Sequence, residues 1–183
     1  MQKRLKREDC ILVAIDYQER LAPAMADRER LMEASAKLIE GFRILNLPIL
    51  ITQQYPKGLG QTVEEIKDAA GKDAVYLDKV TFSAWGDENF AAEFLKRSRR
   101  TAVVIGIEAH VCEQQTVLDL LEEGFTVYVA ADCVGSRSER DRDYAIQRMS
   151  QAGAIITTYE SILFELLGWS KAEEFKQISA LVK

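Results

Sequence analysis

The sequence predicts an α/β fold, a doubly wound six-stranded parallel sheet flanked by helices, and three observations predict it. Short apolar runs alternate with segments of helical period along the 183 residues. Some runs, 101–107 above all, are apolar at nearly every position, the mark of a strand buried on both faces. Helical segments stop at glycine before the next run, at Gly124 and at Gly153. Strands that alternate with helices in this way pair in parallel, with the helices on both faces.

The elements follow in order. The first run, 11–15, stops at Asp16. A periodic stretch, 28–45, reads as a helix and 48–51 as the second strand. The third strand, 75–77, precedes a helix at 88–97. The fourth, 101–107, leads into a helix over 112–123 whose apolar side is Val117, Leu118, Leu120 and Leu121. The fifth strand is 125–131, the next helix 138–152, and the last strand 154–157. A helix starts at Tyr159, and the tail, 169–183, reads as one more amphipathic helix that packs on its own domain or on a neighbouring subunit. No Pro, Gly or Ser-rich linker and no repeat interrupts this order, so 1–183 is read as one domain.

With 48% hydrophobic residues the chain can bury a full core without disulfides or a structural metal. Its formal net charge of -5 argues against a function built on phosphate contacts, so no nucleic-acid partner is expected and the substrate is small. The short basic clusters Lys3, Arg4, Lys6, Arg7 and Lys96, Arg97, Arg99, Arg100 read as solvated surface. No signal-peptide core follows the first cluster and no run approaches a membrane span, so a cytoplasmic protein is expected. Cys10, Cys112 and Cys133 are widely spaced and odd in number, which points to free thiols rather than a disulfide framework or a zinc site.

In open parallel sheets ligands bind beyond the carboxyl ends of the strands, so the polar residues that follow each run matter most. They are Asp16 and Gln18; Thr52, Gln53, Gln54 and Tyr55; Asp78 and Lys79; Glu108, His110 and Cys112; and Asp132, Cys133 and Ser136. Three of them compose a reaction centre. Cys112 stands where strand turns into helix, and helix-end amides are expected to lower its pKa and favour the thiolate. Asp16 can take the thiol proton and return it to a leaving group. Lys79 can hold the carboxylate and the developing negative charge. Gln18, Leu21, Tyr55, Phe82, Trp85 and His110 are candidates to line the substrate pocket. Phe82 and Trp85 would form an aromatic wall or fill the core, and His110 would be pocket wall or exposed loop. Cys133 reads as structural, with a second thiol near the mouth as its alternative, and Cys10 as structural.

Three motifs in order, Asp16-Tyr17-Gln18, Lys79 to Ser83 as Lys-x-x-Phe-Ser, and Gly106-Ile107-Glu108-Ala109-His110-Val111-Cys112, resemble those of the isochorismatase-like cysteine hydrolases. Residues 131–138 are similar to the family's segment after strand five. The likeness runs from Ile11 to about Leu167 and is closest to the isochorismatase domain-containing proteins, whose substrates are mostly unassigned. It implies a three-layer, Rossmann-like sandwich and an Asp16, Lys79, Cys112 triad that attacks a carbonyl carbon to form a thioester, which water then cleaves. It also implies a cis peptide between Ile107 and Glu108, an oxyanion hole of the Glu108 and Cys112 amides, and a homo-oligomer, dimer or tetramer.

One departure separates the chain from nicotinamidases. Where they carry an Asp-x-His pair and a further His for a metal, it has Gln53, Gln54 and Tyr55, and its single histidine lies in the nucleophile motif. A metal-free site without cofactor is therefore expected, acting on a small amide, ester or related carbonyl substrate. A Ser-His-Asp or Cys-His centre would need His110, which cannot readily face Cys112 from two residues away. Other readings are a vinyl ether hydrolase of the true isochorismatase type, and a catalytically silent scaffold of the same fold. A signal receiver lacks its paired acids here, and a dinucleotide site lacks its glycines, since residues 17–25 contain none.

Overall fold

The computed structural model of the protein describes residues 4–183, so Lys3 of the first basic cluster lies outside the described residues. Six runs of aliphatic residues form the strands β1 (Cys10–Ile15), β2 (Ile49–Gln54), β3 (Val75–Lys79), β4 (Thr101–Ile107), β5 (Thr126–Gly135) and β6 (Ile155–Thr157). They make a single sheet in the order β3-β2-β1-β4-β5-β6, with every pairing parallel. β1 pairs on both sides, Val13 opposite Leu50 and opposite Val104, and every residue of β1 and β4 is buried. Unbroken apolar runs are what such doubly covered strands require.

Helices α1 (Arg28–Ile44), α2 (Pro56–Leu59), α3 (Glu64–Ala70), α4 (Glu88–Lys96), α5 (Gln114–Glu122), α6 (Glu139–Ala152), α7 (Tyr159–Leu167) and α8 (Phe175–Leu181) connect the strands and complete the chain. α1, α3, α7 and α8 cover one face with a core that includes Leu38, Phe42, Ile66, Leu163 and Ile178. α4, α5 and α6 cover the other with Phe90, Phe94, Val117, Leu120 and Met149. Polar side chains start three of these helices: Asp87 accepts from the amides of Asn89 and Phe90, Ser138 from Asp141, and Thr158 from Ser161. The connections leave β1 on one face and β4 on the other, so the sheet has its switch point between these two central strands. That is where such sheets open a crevice for ligands.

Several boundaries differ from the sequence reading. β5 runs on to Gly135, because a register shift between Val104 and Gly106 lets Val134 and Gly135 pair with Gly106 and Ile107. Asp132 and Cys133 therefore lie inside the strand rather than beyond it, and only Ser136 follows it. Asp132 accepts from the Tyr159 amide at the start of α7, and Cys133 is fully buried in the core against α1. β2 and β3 also extend further, to Gln54 and Lys79, since ladder bonds hold polar residues as readily as apolar ones. α2 and α3 had no counterpart in the sequence reading. Only 175–181 of the tail is helical, and its Ile178 is buried against this chain's own core. Two residues assigned to solvated surface are ties instead. Arg7 donates to the Leu166 carbonyl and pairs with Glu174 at 2.7 Å, and Arg99 donates to the carbonyls of Arg7 and Glu8. Among the described residues no helix is long and apolar enough to cross a membrane.

Candidate active site at the switch point

Asp16 is the first residue beyond β1, and its φ of 54° places it in the left-handed region that non-glycine residues rarely enter. Its amide donates to the Thr52 carbonyl and its carbonyl accepts from the Gln18 amide at 2.7 Å, which turn the chain sharply out of the strand. The carboxylate is fully buried. One oxygen accepts from Thr52 Oγ1 at 2.7 Å and the other from Lys79 Nζ at 2.8 Å. Lys79, the last residue of β3, reaches across β2 to make that bond, and it donates also to Gln54 Oε1 at 2.7 Å and to the carbonyls of Thr81 and Phe82. An ammonium has three protons, so four acceptors fully occupy it. Lys79 acts on the site through its fixed charge rather than through a spare N–H.

Cys112 completes the group from the other side of the switch point. β4 ends in a cis peptide between Ile107 and Glu108, and one turn of π-helix, Ala109–Glu113, carries the thiol before α5 begins. The Glu108 carbonyl closes that turn by accepting from the amides of Val111 and Glu113. β4 can come close to β1 here because Gly106 has no side chain: a Cβ would sit 2.5 Å from the Ile15 carbonyl oxygen. Cys112 is 5% exposed. Burial first, and then the Asp16 carboxylate, push its thiol up to about 12, while Lys79 pulls the other way. The Asp16 carboxylate and the Lys79 ammonium thus both bear electrostatically on the thiol, in opposite directions. The expectation that helix-end amides would lower the thiol pKa is overturned. Cys112 sits within the π turn and out of water, and desolvation outweighs any favourable dipole.

The remaining candidates divide. Gln18 is buried with its amide spent on backbone, donating to the carbonyls of Gln54 and Gly60 and accepting from the Gln54 amide, so it fastens two loops. Leu21 packs against the α1-side core, and Trp85 stands edge-on to Phe94 and Phe125 in the opposite one. Tyr55 and Phe82 are exposed, at 54% and 57%, on loops that flank Lys79. His110 meets Ser136 Oγ through Nδ1 at 2.9 Å. Glu108 is buried and accepts from the backbone amide and Nε of Arg137. Gln53 donates to Asp78 and accepts from Thr62 through amide and hydroxyl. This amide network holds the 53–62 connection shut.

The sequence reading missed Glu113. It follows Cys112 directly yet is fully buried, neither carboxyl oxygen has a hydrogen-bond partner, and desolvation raises its pKa well above 4.5. Its charge would bear on Tyr17 and Cys133, raising the pKa of both. A charged residue in a polar run, Glu113-Gln114-Gln115, gave no signal of burial.

The Isochorismatase domain family model matches residues 10–161. This chain belongs to the isochorismatase family. It is 42% identical over 173 residues to isochorismatase domain-containing protein 1 of Salmo salar, covering 94% of this chain and 60% of that protein. It therefore spans about three fifths of the length of that relative. Isochorismatase domain-containing protein 2 of Xenopus laevis is 35% identical, with 98% of this chain and 86% of that protein covered. Among solved structures, the MAR1 ribonuclease of Caenorhabditis elegans is similar at a TM-score of 0.92 and 38% identity, covering 98% of this chain and 92% of that one. The YcaC gene product of Escherichia coli, described as an octameric hydrolase of unknown specificity, is similar at 0.93 and 27%, covering 99% and 90%. The family model and the fold agree in placing this chain in the isochorismatase family.

Proposed function

We propose that the chain is a metal-independent cysteine hydrolase of small amides, esters or related carbonyl compounds. The observation that carries this is the fully buried Asp16–Lys79 pair, at 2.8 Å, bearing on the Cys112 thiol at the switch point of the sheet. A thiol with its pKa pushed up to about 12 rests protonated at neutral pH, so the reaction needs a base in contact with it. Asp16 takes the proton as sulfur bonds to the carbonyl carbon. The oxyanion is received by the amides of Glu108 and Cys112, with Lys79 supplying positive charge. Collapse expels the leaving amine or alcohol, which takes the proton from Asp16, and leaves a thioester. Asp16 then deprotonates water, water adds to the thioester, and the thiol returns with the acid product.

Tyr55, Phe82 and His110 are the wall of the substrate site in this reading, with Gln18, Leu21 and Trp85 positioning the loops and helices behind it. A homo-oligomer, dimer or larger, belongs to the same reading and is supported by the octameric description of E. coli YcaC. A cytoplasmic place fits three free cysteines. Ribonuclease activity, named for the C. elegans relative, is less well supported here. A chain of net charge -5 whose only histidine is bonded to Ser136 offers no evident pair for acid–base cleavage of a phosphodiester.

The test is a panel of small amides, hydroxamates, ureas and p-nitrophenyl esters, with an RNA oligomer beside them, assayed against wild type and Cys112→Ala. Turnover of a carbonyl substrate that vanishes in the folded variant supports the reading. Turnover undiminished in Cys112→Ala refutes the covalent mechanism. Cleavage restricted to RNA assigns a different reaction, and silence throughout favours the scaffold.

A further inference from the structure

Lys79 ends β3 and Cys112 follows β4, so the proposed reaction needs two distant segments held in register. Two hydrogen-bonded ties join the lysine loop, 79–84, to the helix that continues from the nucleophile. Thr116, fully buried in α5, donates through Oγ1 to the carbonyl of Cys112 itself at 2.7 Å and accepts from the Ala84 amide at 2.9 Å. One turn further along α5, Asp119 accepts from Ser83 Oγ at 2.5 Å. Residues 116 and 119 are three apart on a helix and share a face, so both ties meet the same loop. A threonine within a helix often bonds back to the carbonyl four residues before it. Thr116 does more than that. The Ala84 amide can only donate, so the hydroxyl accepts there and keeps its single proton for the Cys112 carbonyl. One buried side chain thus links the loop of the lysine to the backbone of the nucleophile.

The loop in turn encloses the lysine. The carbonyls of Thr81 and Phe82 accept from Lys79 Nζ at 3.1 and 3.0 Å, and Thr81 Oγ1 donates to the Ser83 carbonyl at 2.8 Å. The ammonium therefore takes part of its acceptor shell from a segment whose far end, Ser83 and Ala84, is anchored on α5. We propose that Thr116 is a positioning residue, seconded by the Ser83–Asp119 pair, that holds the Lys79 loop in register with Cys112 so that the ammonium and the sulfur act on the same substrate carbonyl. This rests on the cysteine-hydrolase reading. Register matters because a misplacement of about 1 Å between reacting groups can cost about a hundredfold in rate.

The test follows turnover of p-nitrophenyl acetate and acylation of Cys112 in wild type, Thr116→Val, Thr116→Ser and Ser83→Ala. Valine keeps the shape of threonine without the hydroxyl, and it is expected to lower kcat about tenfold or more while KM changes less than about twofold. Serine keeps the hydroxyl and is expected to bring kcat back to within about threefold of wild type. Ser83→Ala removes only the second tie and is expected to lower kcat about threefold at constant KM. That variant decides the matter if the valine protein does not fold. A threonine that served stability alone would leave kcat per folded molecule unchanged. An unchanged kcat in folded Thr116→Val, a loss carried by KM alone, a serine variant no more active than the valine one, or an unchanged kcat in Ser83→Ala overturns this inference alone. A wild-type Cys112 that is never acylated overturns the cysteine-hydrolase reading and this inference with it.

Discussion

Replacing Glu113 with glutamine should make the protein more stable, by an amount that grows with pH in a defined way. The side chain is fully buried, both oxygens lack partners, and desolvation holds the folded-state pKa well above 4.5. In the unfolded chain the same carboxyl ionises near its ordinary value. Because the folded value is the higher one, the stability Glu113 contributes is fully present below the unfolded pKa and is lost as pH rises towards the folded pKa. Over that window the unfolded state has released one proton that the folded state retains. Unfolding free energy then falls by about 1.4 kcal/mol per pH unit through this residue alone. Glutamine keeps the shape and one carbonyl oxygen but cannot ionise. Urea unfolding of both proteins at about pH 5.5, 6.5 and 7.5, at one protein concentration, isolates the term, since every other titrating group cancels in the difference. The gap in unfolding free energy should widen with pH in favour of Glu113→Gln, by up to about 1.4 kcal/mol per unit while the folded-state carboxyl keeps its proton. A gap that stays constant across these pH values would show that Glu113 ionises alike in both states, and the burial argument would fail.

Other perturbations follow from the same geometry. Lys79→Met leaves the Asp16 carboxylate buried without its cation and should destabilise the protein by about 3 to 5 kcal/mol, measured by urea unfolding, and abolish turnover; a loss under 1 kcal/mol would mean the pair is solvated. Iodoacetamide labelling of the native protein should modify Cys112 and spare Cys10 and Cys133, which are fully buried, and its rate should keep rising well above pH 9, because the thiol is pushed up to about 12. A rate already at its plateau at neutral pH would indicate a thiolate and contradict the base role of Asp16. Activity should survive prolonged EDTA treatment, the Gln53 amide being committed to Asp78 and Thr62; loss on chelation restored by zinc would show a metal at work.

Most of the fold is legible in the sequence because its strands are buried on both faces and its helices stop at glycine. What escapes is where polar residues continue a strand. Asp132 and Cys133 read as the end of β5, yet the ladder continues past them through a register shift that no periodicity announces. α2 and α3 escape because they are short and lie in the 55–70 connection, although Pro56 at a first helical position and Ile66, Ala69 and Ala70 at helical spacing are visible afterwards. The candidate residues are legible for a simpler reason: polar residues at or beyond the carboxyl ends of the strands lie where such sheets bind ligands. The state of Cys112 is not. Its pKa depends on depth, and the sequence shows a strand-to-helix junction without showing that a π turn draws the thiol out of water. Trp85 and Gln18 make the same point, since an aromatic or an amide near a strand end serves packing or loop fastening according to contacts made far along the chain.

The covalent step is the core of the account, and rapid acid quenching of the wild-type protein during turnover of p-nitrophenyl acetate, followed by intact-mass and peptide mass spectrometry, reads it directly. An acetyl group on Cys112, formed within the first turnover and absent from Cys112→Ala and Asp16→Asn, is the predicted result. Turnover that proceeds with Cys112 never acylated contradicts it.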